Sequence, residues 1–130
     1  MQIHQSAEDY LETILMLSQR MGKVRSIDVV NELGFTKASV SIAMKKLREN
    51  GYIAVDGEGN LTLLEPGREI AERIYSRHRL LTHFFMQLGE HEKTAAEDAC
   101  KAEHILSDQT LEKIRERAIE TDAELGKTVK

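Results

Sequence analysis

Apolar residues recur three and four positions apart along most of this chain, and the points where that period breaks divide it into segments. Tyr10, Ile14 and Leu17 form the first stripe. Ser6, followed by Glu8 and Asp9, caps it, which predicts an amphipathic helix ending near Met21 and Gly22. Ser26 then caps a short helix over residues 27–33 that Gly34 closes, and Thr36 caps another over residues 37–50 that Gly51 closes. Two short helices joined by a tight glycine turn make a helix-turn-helix. In the second one Val40, Met44 and Leu47, with Ile42, are expected on the buried side. Lys37, Ser39, Ser41, Lys45, Lys46 and Arg48 are expected on the exposed side.

The period then changes from helical to alternating. Residues 52–55 and 61–64 flank the turn Asp56-Gly57-Glu58-Gly59-Asn60, which predicts a β-hairpin, and a hairpin directly after such a helix is the wing of a winged helix. Pro66 suits a first helical turn, and Ile70, Ile74, Leu81, Phe84, Phe85 and Leu88 fit one helix of about 34 Å that Gly89 ends. Two more amphipathic helices are predicted, over residues 92–107 and 108–125. The expected fold is mainly α: an N-terminal winged helix-turn-helix with a small β-hairpin wing over residues 1–65, and a helical domain over residues 66–130.

A length of 130 residues with 41% hydrophobic content suits one compact domain or two small ones. No apolar run approaches the roughly 18 to 20 residues that cross a bilayer, and the N-terminus lacks an export signal, so a cytoplasmic protein without membrane association is expected. The single cysteine cannot form an internal disulfide. A net charge of −4 argues at first against nucleic acid, but its distribution reverses that impression. Residues 20–50 hold seven basic side chains against three acids, whereas residues 90–130 hold seven against eleven. A basic half beside an acidic half fits a division between DNA binding and metal binding.

The chemistry concentrates in Cys100-Lys101-Ala102-Glu103-His104, where a continuous helix would put three metal-capable side chains, at i, i+3 and i+4, on one face. Asp9 and Glu12 stand at i, i+3 near the other end of the chain, and His78 lies on the long helix between. On their own the two acids equally suit a first helical turn, where they compensate the dipole. Glu97, one turn before Cys100, is a further acceptor or alternative ligand. His4, His83 and His91 are read as bystanders, His83 because it lies about 140° around the helix from His78. A small metallohydrolase using the same cluster would need an open coordination position and a substrate pocket, and no phosphate loop or nucleophile motif accompanies it. A winged-helix regulator that senses no metal is the other alternative.

Taken together, residues 6–12, 77–81 and 100–108 closely resemble the diphtheria-toxin-repressor-like metal-dependent regulators, including the manganese transport regulators. The resemblance covers nearly the whole chain. It implies a homodimeric winged-helix repressor whose occupied metal site orders the dimer on an inverted-repeat operator in double-stranded DNA. Its second domain would then serve dimerisation and metal binding, with Asp9, Glu12, His78, Cys100, Glu103 and His104 as ligands. The chain departs from the manganese branch at Cys100, where that branch has glutamate. It departs from the iron branch at Asp9, where that branch has methionine, and at Thr82 and Ala96, where that branch has ancillary ligands. An SH3-like domain carried by the iron branch would not fit in 130 residues.

The donor chemistry favours Mn²⁺ or Fe²⁺, with Co²⁺ or Zn²⁺ able to substitute, because five oxygen or nitrogen donors plus one sulfur suit a high coordination number. DNA contact is expected from Arg25, Thr36, Lys37, Ser39, Ser41, Lys45, Lys46 and Asn60.

Overall fold

A computed structural model describes residues 5–129, with side-chain surroundings as far as residue 124. The elements are α1 (Gln5–Met21), α2 (Ser26–Leu33), α3 (Lys37–Glu49), β1 (Ile53–Val55), β2 (Leu61–Leu63), α4 (Glu65–Gln87), α5 (Glu92–Ala102) and α6 (Asp108–Val129). Two compact units, residues 1–73 and 74–130, divide the chain inside α4. His4 lies outside the described residues.

In the first unit α1 packs on α2, α3 and β2, and α3 packs on β1. The apolar stripe of α1 supplies Leu11, Ile14 and Leu17, and Val29, Val40, Ile53 and Leu61 are buried with them. Each such side chain contributes about 1.5–3 kcal/mol by leaving water. The strands pair antiparallel with Ala54 opposite Thr62. The wing is wider than the sequence shows: Arg25 bridges to Asn60, and the Leu61 N–H donates to the Val24 carbonyl at 2.7 Å.

That extra pairing explains one corrected boundary. Arg25 is held extended, at φ −119° and ψ 165°, so it caps α2 and Ser26 becomes the first helical residue. The Asp28 carboxylate accepts from the Arg25 N–H at 2.9 Å and closes the turn. Ser6 likewise lies inside α1, which begins at Gln5. Thr36 caps α3 as expected, accepting from the Ser39 N–H at 3.1 Å, and Gly34 takes the left-handed φ of 71° that ends α2.

A second correction concerns Ile42, which is 58% exposed, whereas Val40, Met44 and Leu47 are buried at 0%, 4% and 6%. At 100° per residue Ile42 points about 140–160° away from all three, so α3 cannot bury the four together.

In the second unit Leu81, Ala99 and Leu111 form a buried cluster, with Leu80, Phe85, Leu106 and Ile114 packed against it. Here the expected helix over residues 92–107 is cut short. α5 ends at Ala102, and both the Ile105 and Leu106 N–H groups turn back to the Ala102 carbonyl. The break comes from the next cap, since the Ser107 hydroxyl accepts from the Thr110 N–H at 3.1 Å and starts α6.

The start of α4 sets one position under a tight steric limit. Leu64 N–H donates to the Tyr52 carbonyl at 3.0 Å, and a Cβ at Gly67 would collide with that same oxygen. Alanine gains up to about 1 kcal/mol of helix propensity over glycine, but the collision is with backbone that the Leu64 bond fixes. Gly67→Ala is therefore expected to destabilise the protein by about 1–2 kcal/mol in urea denaturation. Gly57→Ala, which opens onto empty space, should stay within about 0.5 kcal/mol.

Candidate metal centre and nucleic-acid interface

The second unit gathers one carboxylate and two imidazoles. Glu103, the residue that caps α5, is fully buried at 0% exposure. Its Oε2 lies 2.9 Å from His78 Nδ1 on α4, and its Oε1 lies 3.4 Å from His104 Nε2. The His78 and His104 side chains are 22% and 2% exposed. Taking an ionised carboxylate out of water costs several kcal/mol unless charge or hydrogen bonds compensate. Glu103 Oε1 is buried without a hydrogen-bond partner among the described residues. A divalent cation fits that oxygen, and the mixed nitrogen and oxygen donors fit a hard or borderline ion.

Arg77 fixes this geometry, and sequence reasoning missed it. Its guanidinium donates to the Glu103 carbonyl at 3.1 Å and to the Asp108 carboxylate at 2.5 Å, tying α4 to both sides of the break between α5 and α6. The side chain is 16% exposed. No spacing in the sequence links residues so far apart; the only available signal was a basic residue directly before the candidate ligand His78.

Of the other expected ligands, Cys100 is exposed on α5 and is in no disulfide. α5 ends at Ala102, but Glu103 keeps right-handed helical backbone and its N–H donates to the Ala99 carbonyl at 2.9 Å, so Cys100 stands one turn before Glu103 at the end of the helix. Glu97 is exposed as well. In the first unit, Asp9 is half-buried and Glu12 is 6% exposed. The helix dipole acts within the first turn. That accounts for Glu8, but not for Asp9 and Glu12, which come after the first turn of α1. Burial, then the charge of Asp9, raises the Tyr10 phenol above its ordinary pKa, so it stays protonated. His83 belongs to a separate cluster, with its Nε2 at 2.9 Å from Asp122 Oδ1, and His91 is exposed before α5.

The other candidate surface is the outer side of α3 and the wing. Lys37, Ser39, Ser41, Lys45, Lys46 and Arg48 are all exposed there. Ser41, Lys45 and Arg48 line a shallow cleft with Ser26 and Val55. Thr36 and Ser39 bond each other, at 2.9 Å between hydroxyls. Asn60 is committed to the wing: its side-chain amide donates to Asp56 Oδ2 at 3.0 Å and its N–H to Asp56 Oδ1 at 2.9 Å. Those Asn60 bonds, with the Glu58 N–H and the charge of Lys23, hold the Asp56 carboxyl below its ordinary range. The Arg25 guanidinium lies against Gly59, where a Cβ would stand 3.4 Å from its Nε. Arg25, Lys37, Lys45, Lys46 and Arg48 have no ion-pair partner among the described residues, so five cations face solvent on one small domain.

Comparison with known proteins also divides the chain in two, close to the start of α4. Residues 2–61 match the family described as iron dependent repressor, N-terminal DNA binding domain. Residues 64–120 match iron dependent repressor, metal binding and dimerisation domain. An uncharacterized HTH-type transcriptional regulator of Methanocaldococcus jannaschii is 37% identical over 113 residues, 85% of this chain and 90% of the relative. The HTH-type transcriptional regulator MntR of Bacillus subtilis is 32% identical over 109 residues, 84% of this chain and 77% of MntR. A solved manganese-dependent transcriptional repressor in complex with manganese aligns with a TM-score of 0.75 at 31% identity, over 92% of this chain and 52% of that one. The chain thus spans about half the length of that solved structure.

Partners that orient a ligand typically contribute 10–100-fold in metal affinity. Arg77→Ala is accordingly expected to weaken Mn²⁺ binding by that order in equilibrium dialysis. Lys113→Ala, which removes only an exposed pair with Glu116, should leave it within about twofold.

Proposed function

The chain belongs to the iron dependent repressor family, whose members are transcriptional repressors and not enzymes, and we propose that it represses transcription as a Mn²⁺- or Fe²⁺-dependent homodimer on double-stranded DNA. The observation that carries this reading is the buried Glu103 carboxylate between His78 and His104, in a chain whose other unit presents cations without partners.

We propose Asp9, Glu12, His78, Cys100, Glu103 and His104 as the ligand set. The buried acid on α1, the imidazoles beside Glu103 and the resemblance to the family's motifs support it. A bound divalent ion would supply positive charge that offsets the mutual repulsion of these carboxylates. Glu103 presents its carboxylate from a backbone that Arg77 holds, and His78 and His104 present nitrogen from either side. Asp9 and Glu12 project from the helix that packs on α2 and α3, so engaging them restrains the unit that carries the DNA-binding helix. Two such units on one dimer would dock on an inverted repeat with half-sites about one helical turn apart. Lys37, Lys45, Lys46 and Arg25 would neutralise phosphates, and Ser39 and Ser41 would approach the groove. The cytoplasm, where Cys100 stays reduced, is the compartment that suits this chemistry.

A metal-by-metal titration of DNA affinity at fixed ionic strength, with a chelator control, tests the reading. Glu103→Gln and His104→Ala are expected to abolish stimulation by Mn²⁺ and Fe²⁺ while the circular dichroism spectrum stays that of the parent. A response equal to the parent's would show that the site lies elsewhere.

The exposed thiol makes a separate expectation. A thiolate binds softer ions more strongly than a carboxylate does and must lose its proton to do so. Cys100→Glu should therefore shift preference toward Mn²⁺ over Fe²⁺ and Co²⁺, and remove a sulfur-to-metal charge-transfer band from the Co²⁺ form. Identical Co²⁺ spectra in the two proteins would take Cys100 out of the ligand set.

A further inference from the structure

The outward side of α3 is not uniformly polar. Ile42, in the middle of the helix, is 58% exposed, and Ala38, one turn before it, is exposed too. At 100° per residue Ala38 and Lys46 stand about 40° from Ile42 and Lys45 about 60°, so the four share one face opposite the buried Val40, Met44 and Leu47. Glu49 joins this face only at the last residue of the helix. A β-branched side chain in mid-helix costs a few tenths of a kcal/mol against Ala, Arg or Lys. An exposed one recovers nothing by burial, so folding alone gives Ile42 no reason to be there.

Ile42 also stands on the rim of a groove that Ala7 and Tyr10 of α1 share with Ser39 and Lys46 of α3. Two occupants compete for that apolar face, a protein segment or the edge of a base. The charge around it favours the base, because Lys46 lines the groove, Lys45 stands about 60° from Ile42 on the same helix, and neither is neutralised by an ion pair among the described residues.

We propose that Ile42, with Ala38 beside it, reads thymine in the major groove through the C5-methyl group. This rests on the proposed DNA-binding role and adds to it what the helix discriminates. Among the four bases only thymine places a methyl group in the major groove, and an apolar side chain is its natural partner. Lysines can position the helix on phosphates of any sequence; they cannot make this distinction. Ile42 is therefore a specificity-determining residue, and each half-site is expected to carry at least one thymine opposite it.

The test uses the whole chain with Mn²⁺ to select duplexes from a random-sequence library. The selected duplex is then remade with deoxyuridine replacing each thymine in turn, a change that removes the methyl group alone. Burial of one methyl corresponds to roughly a fourfold change in affinity, so the symmetric pair should weaken binding about fifteenfold. Ile42→Ser should bind the thymine and deoxyuridine duplexes equally, with an unaltered salt dependence, since the phosphate contacts remain. The proposal is overturned if the parent protein tolerates every deoxyuridine, or if Ile42→Ser still prefers thymine. A variant that changes self-association in light scattering while keeping the thymine preference would assign the face to a second copy and overturn it too. Failure to select any duplex would instead remove the DNA-binding role itself, so the two failures are distinguishable.

Discussion

A carboxylate sealed from water is the constraint around which the second unit is built. Glu103 has no exposed surface, and one of its oxygens has no hydrogen-bond donor among the described residues. Such a group is tolerated only where the geometry around it is fixed, because any slack would let water or a rotamer change relieve the penalty. Three features fix it: the end of α5 at Ala102, the Ser107 cap that starts α6, and Arg77. Arg77 is suited to the task because its planar fork binds the Glu103 carbonyl and the Asp108 carboxylate together, which a lysine could not do. The surface ion pairs of α6, such as Lys113 with Glu116, contribute little by comparison.

The first unit solves a different problem, holding a short helix outward while keeping its solvent side free. α3 is anchored by three buried side chains and a Thr36 cap of about 1 kcal/mol. The wing is stiffened at its base by Arg25 pairing with Asn60 and at its tip by Asp56 accepting from Asn60 and Glu58. Asn60, expected to touch DNA, is thus engaged in making the turn, and Gly59 leaves room for the Arg25 side chain to lie across it. The exposed remainder of α3 is four cations, Glu49, the hydroxyls of Ser39 and Ser41, and the apolar Ala38 and Ile42.

Much of this is legible in the sequence because its signals are local. The α3 cap, the glycine ends of α2 and α3, the hairpin and the long α4 each depend on residues a few positions apart. The features that escape such a reading are decided by partners distant in sequence. Ser26 looks like a cap until Arg25 is claimed by Asn60 across the sheet. Residues 92–107 look like one helix because a helical period does not record that the Ser107 hydroxyl caps the next one. Ile42 looks buried from its side-chain type, although its angular position already sets it apart from Val40, Met44 and Leu47. The candidate site residues Glu103, His104 and His78 announce themselves by their chemistry, but the Arg77 clamp on the Glu103 backbone does not.

The same distinction bears on how the two functions can be coupled. A metal ion changes DNA affinity only as far as it binds one arrangement of the chain better than another. In the proposed ligand set, the second unit contributes donors whose positions Arg77 and the α5–α6 break already fix, so little of that difference can arise there. The two acids of α1 are the remaining variable. α1 packs on α2, α3 and β2, the elements that carry the candidate DNA-binding surface. A constraint placed on Asp9 and Glu12 is therefore a constraint on the whole first unit as a body. Its core is continuous enough to transmit such a constraint without internal rearrangement, since well-packed interiors shift as units and do not deform smoothly. The coupling free energy should accordingly depend on the acids of α1 more steeply than on the residues of α3, even though the proposed DNA contacts lie on α3.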